Sequence, residues 1–168
     1  MSANESAYRE YVTHHIDGLR RTAYLLCGDW HTADDLVSVA LVKLLRHWRR
    51  VSAMEAPDAY MRRVLLRAWL DELRRPWRRR ERPTATLPEC AASPADPEDP
   101  EDRRWILALL AELPPRRRAV LILRYFCDLS VEETAEALGC GEGTVKSQTA
   151  RALDTLRARL SGVPALEE

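Results

Sequence analysis

Thr144, Ser147, Gln148, Arg151 and Asp154 recur along one side of a helical repeat, so their hydroxyl, amide and charged groups project together from one face. Groups of this kind donate to and accept from phosphates and base edges. On the other side, Val145, Ala152, Leu153, Leu156 and Leu160 form the apolar stripe that seats such a helix on a scaffold.

A helix of this kind needs a neighbour to hold it. Ser130 and Glu133 have the spacing of a capping box, which satisfies two orphan amides at the start of a short helix. Ala135 is small where a second helix must come close, and Gly139 follows Leu138 where a left-handed residue ends the helix. The stretch from Leu129 to Leu160 therefore predicts a helix-turn-helix whose second helix lies in a DNA major groove. The competing reading is a pair of core helices with a solvated polar face.

The charge pattern agrees with a polyanionic partner. Lys and Arg total 26, Asp and Glu total 26, and the formal net charge is zero, yet the charges are segregated. Arg74, Arg75, Arg78, Arg79, Arg80 and Arg82 crowd one segment and Arg116, Arg117 and Arg118 another, whereas Glu89 to Asp102 is acidic and carries Pro94, Pro97 and Pro100. Separated blocks of this kind give basic surfaces for a polyanion joined by an acidic tether. Solvated charged faces are the alternative.

Other chemistries find less support. Cys27, Cys90, Cys127 and Cys140 are widely spaced with no C-x-x-C pair, which argues against a zinc site or a disulfide framework. Adjacent His14 and His15 diverge on a helix and are expected at the surface. No carboxylate and histidine set recurs at ligand spacing and no glycine-rich phosphate loop follows a strand, so neither a metal, a cofactor nor an enzymatic activity is expected. The amino terminus, MSANESAYREY, has neither a basic start nor an apolar core, and no apolar run approaches membrane length. The expectation is a cytoplasmic protein that does not insert into a membrane.

The elements that position these groups are helices. Ala, Leu, Arg and Glu dominate the 168 residues, which predicts an all-α chain of two small helical domains. Residues 81–102 are rich in Pro, Ala, Glu and Asp and read as a flexible acidic linker between domains over 1–80 and 103–168. In the first domain, Tyr8, Val12, Ile16, Leu19, Ala23 and Leu26 have helical spacing up to a stop at Cys27-Gly28-Asp29. Thr32 with Asp35 reads as the next capping box, opening a helix through Leu36, Ala40, Leu44 and Trp48. A third helix runs from Asp58 to about Arg75. The second domain adds a helix from Trp105 to Leu113, a Pro114-Pro115 break, and a helix through Val120 and Leu123 to Phe126.

The succession DLVSVALVKLL, AYMRRVLLRAWLDELRR, an acidic linker and then LPPRRRAVLILRYFCDLSVEETAEALGCGEGTVKSQTARAL resembles the extracytoplasmic-function group of bacterial sigma-70 factors over nearly the whole chain. The resemblance implies an initiation factor whose partners are core RNA polymerase and promoter DNA. Its first domain would bind the polymerase clamp and melt the minus-ten element. Its second would read the minus-thirty-five element and touch the polymerase flap, with the linker either threading the nucleic-acid channel or serving as an inert spacer. An anti-sigma protein is a further partner that the resemblance allows.

By the same resemblance, Lys146, Ser147 and Arg151 match DNA-reading positions, with Thr144 and Gln148 placed to meet phosphates or adenine. Asp35, Leu36, Val37, Leu41 and Lys43 match the clamp-binding helix, where Ser38-Val39 replaces the Gln-Glu often found in the family; the competing reading is that they are core residues, as is expected of Leu36 and Leu44. Tyr60, Arg62, Arg63, Arg67 and Trp69 match the minus-ten region, with Arg67 where Asn is common and a place in the core as the competing and commoner role for Tyr60 and Trp69, and Arg74 and Arg75 are expected to attract phosphate. The main alternative is a stand-alone helix-turn-helix regulator, which leaves the first helical domain without a role.

Overall fold

The computed structural model describes residues 2–75 and 100–162, and all its elements are helical. The acidic segment as far as Asp99, the arginines Arg78, Arg79, Arg80 and Arg82, and Cys90 lie outside the described residues. The chain forms two compact units, Met1–Cys90 and Ala91–Glu168.

The first unit is built from α1 (Ala3–Cys27), α2 (Trp30–Val51) and α3 (Pro57–Leu73). Gly28 ends α1 at φ 77°, a left-handed conformation that costs glycine nothing, and its amide donates to the Tyr24 carbonyl. The chain then reverses at once into α2. Asp29, not Thr32, caps this helix: its carboxylate accepts from the Thr32 amide at 2.8 Å and the Thr32 hydroxyl at 2.7 Å. Both residue types can cap, and the tight stop at Gly28 places Asp29 at the helix mouth with Thr32 already inside the first turn.

Burial alone would raise the Asp29 carboxyl, but the hydrogen bonds from Thr32 and His31 outweigh it and hold the group below its ordinary value. A carboxyl depressed in the native state contributes stability that is present above its unfolded pKa and lost as pH falls through the native one. Asp29→Ala is expected to cost about 1 kcal/mol at neutral pH. The difference from wild type should shrink below about pH 4. Urea unfolding at a series of acidic pH values checks this, and a pH-independent difference would contradict it.

Leu26, Ala33, Ala40, Leu44, Val51 and Leu65 are all 0 % exposed and make the centre of the three-helix core. Polar ties fix how α1 lies on the other two helices. Tyr8 donates to the Leu41 carbonyl of α2 at 2.9 Å, and Tyr11 donates to Asp58 of α3 at 2.7 Å. Burial first, then the hydrogen bond to Asp58, keeps the Tyr11 phenol well above its usual pKa, so it stays a donor. His15 is half-buried against this pair, its Nε2 3.3 Å from Asp58, rather than at the open surface. Arg20 grips Asp34 through two nitrogens at 2.6 and 3.2 Å while its guanidinium lies over Trp30.

The second unit contains α4 (Pro100–Glu112), α5 (Pro115–Leu121), a π-helical turn over Ile122–Phe126, α6 (Val131–Leu138) and α7 (Glu142–Ser161). The last three residues expected in the linker, Pro100 to Asp102, belong to the first turn of α4. The helix expected to run on to Phe126 widens after Leu121, where the Cys127 amide reaches back to the Ile122 carbonyl at 3.0 Å. Asp128 then turns the chain at φ 54°, and the Leu129 amide closes on the Leu123 carbonyl. Among the described residues, no helix is long and apolar enough to cross a membrane.

Candidate nucleic-acid interface

The local chemistry of α6 determines how α7 is presented. Ser130 accepts from the Glu133 amide at 3.0 Å, and the Glu133 carboxylate accepts from the Ser130 amide at 2.7 Å, closing the capping box. At the other end Gly139 adopts φ 65°, the Cys140 amide reaches the Ala135 carbonyl at 3.0 Å, and the Gly139 amide reaches Glu136 at 3.3 Å. This double closure satisfies the last carbonyls of α6 and turns the chain into α7. Val145 and Val120 then meet Ala135, with Val131, Leu138 and Cys140 packed around them. A larger side chain at Ala135 would push the helices apart.

Seated in this way, α7 buries Val145 and Ala152, both 0 % exposed, while Leu153 and Leu156 are half-buried. Leu160 is exposed, because the apolar stripe outruns the scaffold that covers it. Thr144, Lys146, Ser147, Ala150 and Arg151 project outward. The Ser147 hydroxyl donates to the Thr144 carbonyl at 3.1 Å, which leaves its oxygen lone pairs outward. The side chains of Arg151 and Lys146 carry no hydrogen bond or ion pair among the described residues. Gln148 differs from these residues: it is half-buried, and its Oε1 accepts from Arg117 Nε of α5 at 3.2 Å.

The second arginine block is therefore not one surface. Arg118 is half-buried and donates to the carbonyls of Leu110, Ala111 and Leu113 at 2.7, 3.1 and 3.2 Å, capping the end of α4. Arg117 is engaged with Gln148, which leaves Arg116 as the exposed member. Arg159 of α7 reaches Glu112 of α4 at 2.5 Å, which ties those two helices together as Arg117 ties α5 to α7.

In the first unit, Leu36 and Val37 are 4 % and 3 % exposed and belong to the core, so they cannot meet a partner directly. Leu41 is half-buried, whereas Asp35 and Lys43 are exposed. The outward apolar row of α2 is instead Val39, Val42 and Leu45, at 46 %, 51 % and 54 % exposure. Beside it, Asp35, Ser38, Val39, Lys43, Asp71 and Arg75 line an open groove of about 450 Å³ between α2 and the end of α3.

On α3, Trp69 is 2 % exposed and packed with Met61, Leu65 and Leu66, so its ring is not available to stack on a base. Tyr60 and Arg62 are half-buried, and Arg63, Arg67, Arg74 and Arg75 are exposed. Arg63, Arg67 and Arg74 share one side of the helix through their spacing of four and seven. Arg75 turns to Glu72 at 3.7 Å.

Residues 11–79 match the family described as Sigma-70 region 2, and residues 103–156 match Sigma-70, region 4. The RNA polymerase sigma-E factor of Streptomyces coelicolor is 39 % identical over 158 residues, spanning 91 % of this chain and 85 % of the relative. The chain belongs to the extracytoplasmic-function group of the sigma-70 family. A second sigma-E factor, from Streptomyces avermitilis, is 38 % identical over 156 residues, with 91 % of this chain and 84 % of the relative covered. Two solved structures share the fold. The sigma factor RpoE of Bartonella quintana, crystallised with the anti-sigma factor NepR, has a TM-score of 0.73 at 22 % identity and covers 94 % of this chain and 99 % of its own. CnrH, in complex with the cytosolic domain of CnrY, has a TM-score of 0.68 at 21 % identity, over 96 % and 92 % of the two chains.

Two features of this sigma factor escaped sequence reasoning. The exposed row Val39, Val42 and Leu45 was legible as helical spacing but not as the outward face, since α2 is apolar on more than one side. The tie from Arg117 to Gln148 joins positions 31 residues apart and leaves no local signal.

Proposed function

We propose that this sigma factor divides promoter-specific initiation between its two units. The first unit docks on core RNA polymerase through the exposed face of α2, with Asp35, Val39, Val42, Lys43 and Leu45 as the contact residues. Tyr60, Arg62, Arg63, Arg67, Arg74 and Arg75 act on the minus-ten element, where opened strands expose phosphates and base faces together. The second unit lays α7 in the major groove of the minus-thirty-five element, with Thr144, Lys146, Ser147, Gln148 and Arg151 towards the DNA.

The observation that carries this reading is the presentation of α7: Val145 and Ala152 are 0 % exposed and lock the helix down, while Lys146, Ser147 and Arg151 stand clear of the scaffold. The protein supplies recognition and has no chemistry of its own; nucleotide transfer is carried out by the polymerase. It works in the cytoplasm, where core polymerase and promoter DNA are found. An anti-sigma protein is a further partner, reached through the same α2 face, because a protein that covers Val39, Val42 and Leu45 excludes the polymerase. A stand-alone regulator would need no such apolar row.

Arg151→Ala tests the reading of α7. A guanidinium paired with guanine through two hydrogen bonds is worth roughly 1–3 kcal/mol of discrimination, so the variant should bind its promoter about tenfold more weakly and lose preference at one base pair. A phosphate contact would weaken all sequences alike. Binding of the holoenzyme to cognate and scrambled upstream elements separates the two, and equal losses on both would remove Arg151 from the reading set.

A further inference from the structure

Gln148 lies on the reading face of α7 but is not free to read in every way. A guanidinium has only donors, so only the Oε1 of the Gln148 amide can face Arg117, and the 3.2 Å contact fixes that orientation. The Nε2 group, with its two hydrogens, is then directed away from α5. Reading adenine through a glutamine requires both ends of the amide on one base, Oε1 accepting from N6 and Nε2 donating to N7. With Oε1 turned onto α5 that fork cannot form. Guanine, with acceptors at O6 and N7, thymine, with an acceptor at O4, and adenine, through N7 alone, all remain open to a single donor, whereas cytosine presents only a donor.

We propose that Arg117 is a specificity-positioning residue: by holding Gln148 Oε1 it makes Gln148 a hydrogen-bond donor only, so the two-point preference for adenine is lost and cytosine, which offers no acceptor in the major groove, is the base rejected under Gln148. This rests on α7 being the upstream reader. It replaces the adenine or phosphate contact that the sequence alone allows for Gln148. It also gives the half-buried Arg117 a role distinct from the exposed Arg116, which has the exposure of a phosphate contact, and from Arg118, which caps α4.

The test uses the full chain assembled with core polymerase and a library of promoter duplexes randomised through the upstream element, scored by the base ratio at each position in the bound fraction. Wild type should disfavour cytosine at one position without favouring adenine over guanine or thymine, and Gln148→Ala should erase that discrimination. Arg117→Met should move the same position towards adenine by roughly five- to tenfold, because the freed amide can now form the two-point pair. Arg117→Lys, which keeps a donor, should restore the wild-type profile, and Arg117→Met added to Gln148→Ala should change no base ratio. An Arg117→Met profile identical to wild type, at a position that Gln148→Ala does alter, would overturn the inference and leave the reading of α7 standing. A Gln148→Ala profile unchanged at every position would also overturn it. If wild type shows no upstream preference at all, the assignment of α7 as reader fails and the inference falls with it.

Discussion

Val42→Asp should abolish transcription from the cognate promoter while leaving the protein folded. Val42 sits between Val39 and Leu45 in the outward row of α2 and is 51 % exposed, so an added carboxylate stays solvated in the free chain. Docking would bury it in an apolar contact with no partner, and a residue at the centre of such a contact is commonly worth 2 kcal/mol or more. The expected loss in affinity for core polymerase is therefore about thirtyfold or greater. Leu44→Ala gives the contrast, since Leu44 is 0 % exposed in the three-helix core. Its removal should cost about 2–5 kcal/mol of folding stability and affect transcription only through that loss. Thermal unfolding and polymerase co-purification of both variants resolve the two effects. Unaltered polymerase binding by Val42→Asp would mean that another surface docks the first unit.

This contrast marks the limit of what the sequence discloses. Features set by neighbours a few residues apart were legible: Ser130 with Glu133 closes its capping box, Gly139 takes the left-handed turn, and Val145 anchors the reader. Each depends on short-range backbone geometry, which spacing encodes directly. Features that depend on which face meets a distant helix were not legible. Along α2, Leu36 and Leu44 read as core from their spacing, but Val37, Val39, Val42 and Leu45 are equally apolar, and only the positions of α1 and α3 decide that Val37 turns in and the other three do not. Trp69 was open between a core position and a base for the same reason: an aromatic on a basic helix fits either role until the opposing helices cover it. The arginine run 116–118 reads as one patch, but its three side chains have three different surroundings, because successive helical residues point in different directions. The Asp29 cap is a narrower case, in which two competent residues stood three apart and the stop at Gly28 chose between them.

The intact chain with core polymerase should start RNA at a defined position, and its two units supplied as separate polypeptides should not. Neither unit has enough surface to replace the other. The second unit presents a single helix, and one small reader that meets few phosphates and few bases binds duplex weakly at physiological salt. The first unit carries the exposed apolar row of α2 and the cations of α3, whereas the helix-turn-helix lies in the second. Joining them makes the second binding event intramolecular, and effective concentrations in the millimolar range typically raise avidity by roughly 10²–10⁴ without a new contact. Cutting the segment that joins α3 to α4 removes that gain, so promoter-specific transcript from the mixed halves should fall by about two orders of magnitude or more. The first half alone should still compete with the intact chain for core polymerase. Start-site mapping with intact chain, mixed halves and each half alone reads all of these outcomes. A stand-alone regulator behaves oppositely: its second unit binds an operator tightly without polymerase, and cutting the chain leaves that binding unchanged. Tight polymerase-independent binding by residues of the second unit, with no binding of the intact chain to core polymerase, would reject initiation as the function and select the regulator.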